Sequence, residues 1–102
     1  MAGLIPPQLS VSEQQLHSIE QIADRLRLMD LTRLSRTDAE GLSIAEHVYQ
    51  SCCRLTDRDV PRLSDAAAGD QWMVIAREYL SDQQGQSTEL LDEQVRAVKS
   101  LL

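Results

Sequence analysis

Apolar side chains recur along this chain at intervals of three and four, the spacing that lays them on one face of an α-helix. Leu16, Ile19, Ile22, Ala23, Leu26 and Met29 form the first such run and predict a helix over 13–30. Ser12-Glu13-Gln14-Gln15 before it has the form of a capping box, and Val11 with Leu16 that of a hydrophobic staple. Leu42, Ala45, Val48, Tyr49, Cys52 and Leu55 predict a second helix over 38–55, opened by the box Thr37-Asp38-Ala39-Glu40. Gly41 inside it costs about 1 kcal/mol relative to alanine, so a close helix contact is expected there. The connection between them, Leu31 to Arg36, has room for a short helical turn.

A third run begins after Thr56-Asp57-Arg58-Asp59, which reads as an N-terminal cap, with Pro61 acceptable in a first turn. Leu63, Ala66, Ala67, Met73, Ala76 and Leu80 make one stripe, with Trp72, Ile75 and Tyr79 beside it, predicting a helix over 59–82. Gly69-Asp70 interrupts the pattern; the alternative is a break near Ala68, with Asp70 capping the next helix. Asp82 to Gln86 is polar and contains Gly85, a stop signal. Ser87 or Thr88 restarts the chain, and Leu91, Val95, Val98 and Leu102 predict the last helix over 88–101. Residues 1–9, with Pro6-Pro7, are expected to form a short extended arm that docks through Leu4, Ile5 and Leu9. No segment alternates in the manner of a strand. The expected fold is all-α: a compact bundle of four amphipathic helices in a single domain spanning 1–102.

Composition agrees with one folded domain: 102 residues, 42% hydrophobic and 25% charged, leave room for one core and argue against disorder. With no Phe, that core is built from aliphatic side chains plus Trp72, Tyr49 and Tyr79. No apolar stretch approaches the ~20 residues of a membrane span. Neither a secretory signal nor a myristoylation pattern is visible at the start, so a cytoplasmic address is expected. The adjacent Cys52 and Cys53 point about 100° apart on a helix and cannot form an ordinary disulfide there. One is expected to pack inward and the other to sit at the margin.

The chemistry on offer is sparse. His17 and His47 have Gln14 and Ile44 three positions earlier, so the Glu-x-x-His pairs of di-iron bundles are absent. His47 and Cys52 lie about 140° apart around a helix, which argues against a shared zinc site. The glycines, at 3, 41, 69 and 85, are too scattered for a phosphate-cradling loop, and no serine sits in a G-x-S-x-G setting. No metal, cofactor or enzymatic activity is expected. Arg25, Arg27, Arg33 and Arg36 cluster in the sequence, yet each half of the chain carries a net −3 and the whole −6. Nucleic-acid binding ordinarily needs a basic face, so a nucleic-acid-associated regulator using these arginines is a second choice. A small redox or enzymatic module using Cys52, Cys53 or His47 is a third.

The most informative feature is an excess of apolar surface. Trp72 to Ala76, with Tyr79 and Leu80, occupy most of the circumference of the third helix over two turns. A helix apolar nearly all round is covered on more than one side. The expected function is therefore a non-enzymatic protein–protein interaction module, an adaptor, regulator or inhibitor subunit that occupies a partner surface. Trp72, Met73, Ile75 and Tyr79 would anchor an apolar patch, and Asp65 and Asp70 would select a partner with a basic rim. A homodimer through the same helix is expected.

Overall fold

A computed structural model of the chain describes residues 11–56, 58–83 and 86–102. The arm expected over 1–9 lies outside the described residues, as do the side chains of Val11 and Ser12, on which the first capping box and the staple depend, and Gly85 of the last loop. The described residues are all-α with no strand: α1 (Val11–Leu28), α2 (Leu31–Ser35), α3 (Ile44–Arg54), a 3₁₀ turn (Asp65–Ala67), α4 (Ala68–Asp82) and α5 (Glu89–Lys99). The four longer helices correspond to the four apolar runs, and α2 is the short turn for which the first connection has room.

Two helix starts differ from expectation. The second helix begins at Ile44 rather than 38 because Ser43 is the better cap: its Oγ accepts the Glu46 N–H at 3.0 Å. Thr37 instead pairs with Ser43 in an isolated antiparallel bridge. Asp38 Oδ1 accepts the N–H groups of Glu40 and Leu42, an alternative to helical bonding that short acidic side chains offer readily. Gly41 closes this turn at φ 80°, where a Cβ is strained, so its role is conformational and not a helix contact.

The third helix begins at Ala68 rather than 59. Pro61 biases Val60 toward extended backbone, and residues 58–64 run across the surface as a strap. Its carbonyls are taken by side chains: Tyr49 Oη donates to Val60 and Gln71 Nε2 to Pro61. Arg62 donates to Glu46 at 3.0 Å and to Asp65 at 2.7 Å, and its guanidinium lies 5.5 Å from the centre of the Tyr49 ring. Gly69 does not interrupt α4. It lies in the first turn against α1, where an added Cβ would come within 3.0 Å of the Ala23 carbonyl oxygen and 3.2 Å of Leu26 Cβ.

The α1–α4 pair is the centre of the bundle. Gly69 meets Ala23 and Leu26, while Trp72 reaches back to Ile19, so the two helices are antiparallel. Ile19, Ile22, Ala23 and Leu26 of α1 and Ala68, Trp72 and Ala76 of α4 are buried here, joined by Val48 and Cys52 of α3 and Leu91 and Val98 of α5. Gln15 of α1, itself buried, ties down the start of α5 through Thr88 Oγ1 at 2.7 Å and Asp92 Oδ1 at 2.9 Å.

Candidate functional site

The side chains of α4 divide into a sealed face and an open one. Trp72 belongs to the sealed face: it is 0% exposed, and its indole Nε1 donates to the Ile19 carbonyl at 3.1 Å. It is therefore a core residue and not an anchor for a partner. Ala68, Trp72 and Ala76 recur at four, which puts the tryptophan in the middle of the stripe that α1 covers. Met73 is half-buried and packs on the flank of the same core. The apolar excess of the helix is thus largely absorbed within the chain, because α4 is covered by α1 on one side and α3 on another.

The remaining apolar surface lies toward α3 and α5. Ile75 and Tyr79, both half-buried, line a cleft of about 540 Å³ with Leu55 and Leu90. Its charged walls are Arg54 from the end of α3, Arg58 from the strap, and Glu78 and Asp82 from α4. Arg58 and Glu78 form an ion pair. Arg54 and Asp82 are exposed and have no hydrogen-bond or ion-pair partner among the described residues. The cleft therefore has an apolar floor, balanced charge, and one uncommitted group of each sign on different helices. Val74, one turn before Glu78, is 59% exposed and extends apolar surface past the rim.

The two acids expected to select a basic partner are already engaged. Asp65 accepts from Ser35 Oγ at 2.6 Å and from Arg62, and these two donors hold its carboxyl below the usual value. Asp70 accepts from Arg27 Nε at 2.8 Å. Asp65 is thereby tied into the packing of the strap, whereas Asp70 stays on the surface in its ion pair with Arg27. Of the four arginines considered for nucleic acid, Arg27 pairs with Asp70 and Asp24, and Arg25 donates to the Leu102 carbonyl. Arg33 and Arg36 remain exposed.

Cys52 is buried and Cys53 half-buried, both as free thiols. Burial pushes the Cys52 thiol up to about 12, which leaves little thiolate at neutral pH and weakens any redox role for it. His47 is held by Asp38, with Nε2 2.9 Å from Oδ2. That hydrogen bond, with the Leu42 and Glu40 amides, lowers the Asp38 carboxyl to about 2. The pair sits beside the Ser43 cap and serves the turn between α2 and α3. Among the described residues no group of three His, Cys, Asp or Glu side chains converges as a metal site would require.

The cleft unites two of the expected contact residues, Ile75 and Tyr79, with Leu55, which the periodicity marked only as the end of a core stripe, and with Arg54, Arg58 and Leu90. The available signal was the end of α3: an apolar stripe running out at Leu55 beside a pair of arginines. Comparison with family models, curated proteins and solved structures finds no match to this chain.

Proposed function

We propose that this domain is a non-catalytic protein–protein interaction module that docks a partner in the cleft between α3, α4 and α5. The observation that carries the reading is the combination at one place of four apolar side chains, Leu55, Ile75, Tyr79 and Leu90, with a cation and a carboxylate, Arg54 and Asp82, that have no partner among the described residues. Such a surface gives a partner both apolar area to cover and a means of fixing its orientation. The expected mechanism is occupancy: whatever surface of the partner enters the cleft is withheld from other contacts. Aromatic and aliphatic anchors in a concave site are where binding energy concentrates, so Ile75 and Tyr79 take that role and Trp72 does not.

The reading is tested by comparing what the wild-type chain and two variants capture from the source cell. Ile75→Glu places a charge among the apolar side chains of the cleft, and Asp82→Arg alters a wall residue that makes no hydrogen bond or ion pair among the described residues. A protein retained by the wild type and lost from both variants, with circular dichroism unchanged, is the expected result. Equal capture by all three folded chains would end the reading.

A further inference from the structure

We infer that the occupant of the cleft is a second copy of this chain, in a two-fold dimer in which Arg54 of each copy pairs with Asp82 of the other; this rests on the cleft being the docking site. Two observations point to a self-partner. A two-fold interface brings the same patch of each subunit together, so each residue at the site must find its complement within that patch. The cleft meets the condition: Arg54 and Asp82 are of opposite sign, stand on different helices, and neither has a hydrogen-bond or ion-pair partner among the described residues. The second observation is charge. Each copy carries −6, so two copies repel unless they meet where the local charge is balanced. The cleft walls hold two arginines and two acids, a neutral site on an acidic molecule.

The geometry also bears on extent. A stable dimer takes about 800 Å² from each partner, roughly an eighth of the 6521 Å² surface of this chain. Val74 stands one helical turn before the wall residue Glu78 and is exposed, so an interface of that size centred on the cleft would reach it.

The pairing is tested with purified protein alone, by sedimentation equilibrium and native mass spectrometry over a concentration series. The wild type is expected to dimerise. Arg54→Asp and Asp82→Arg, each alone, set like charges against each other twice per dimer and should raise the dissociation constant at least about tenfold. Mixing the two variants restores opposite charges at both contacts, so a mixed dimer of near wild-type affinity should form while neither variant pairs well with itself. The double variant, Arg54→Asp with Asp82→Arg, should also recover dimerisation. A wild type that stays monomeric to millimolar concentration overturns the inference, as does a dimer that ignores both single reversals. Neither result touches the docking reading if the capture experiment still returns a different protein lost with Ile75→Glu. If that experiment also fails, the cleft itself is wrong.

Discussion

Trp72 is the residue whose role changes most between sequence and structure, and its consequences are measurable. As a surface anchor it would be replaceable without harm to the fold. As a fully enclosed side chain bonded to the Ile19 carbonyl, it is central to the α1–α4 contact. Removing a buried tryptophan costs about 3–5 kcal/mol, against a total of about 5–15 kcal/mol for an ordinary domain. Trp72→Ala is therefore expected to lower the urea midpoint steeply, where Tyr79→Ala at the cleft lowers it little. Comparable midpoints for the two variants would place Trp72 outside the core. The sequence offers no way to decide this from Trp72 alone, since tryptophan is frequent both in cores and at interfaces. The apolar run set Trp72 beside a stripe of Met73, Ala76 and Leu80; that α1 would instead cover Ala68, Trp72 and Ala76 and leave Ile75 and Tyr79 to the cleft was not legible. The same holds for Asp65 and Asp70, which read as free acids until Arg62 and Arg27 reach them.

At the scale of the helices, the apolar period marks out every long element, and the large differences lie where two of the helices begin. The cause is common to both misplaced starts. Periodicity reports which residues face the core, but Leu42 and Val60 can do so from extended backbone as well as from a helix. Ser43 and Glu46 stand in the same box spacing as Thr37 and Glu40, and only the left-handed Gly41 decides between them. Gly69 shows the opposite case: a residue that reads as a helix break is a point of close approach between two helices. A side chain there meets the Ala23 carbonyl at 3.0 Å, a backbone atom that cannot swing aside. Gly69→Val is thus expected to destabilise the domain by about 1–3 kcal/mol through overpacking. Thermal unfolding is the check, and an unchanged or raised melting temperature would mean that α1 and α4 are not held together at this point.

Over the whole molecule, two of the connections between helices, the turn before α3 and the strap before α4, are each held by a carboxylate. Asp38 closes the turn before α3, and Asp65 anchors the strap to Arg62 and to Ser35 of α2. Both acids are lowered by these partners, Asp38 from 3.8 to about 2. An acid whose folded pKa is depressed contributes stability that is complete above its unfolded value and is lost as pH falls toward the folded one. The domain should hold its stability down to about pH 4 and lose it below that as both acids are protonated, the Asp38 contribution going between there and about pH 2. The helical core carries no such dependence, because the side chains sealed between α1 and α4 are uncharged. Asp38→Asn separates the contributions: it removes the carboxylate that bonds His47 and the titration together. The variant is expected to melt at a lower temperature than wild type at pH 5 and to show a shallower acid decline, so that the two curves converge near pH 2. Curves that stay parallel across this range, followed by circular dichroism at constant ionic strength, would show that the turn does not hold the bundle and that the acid limb arises elsewhere.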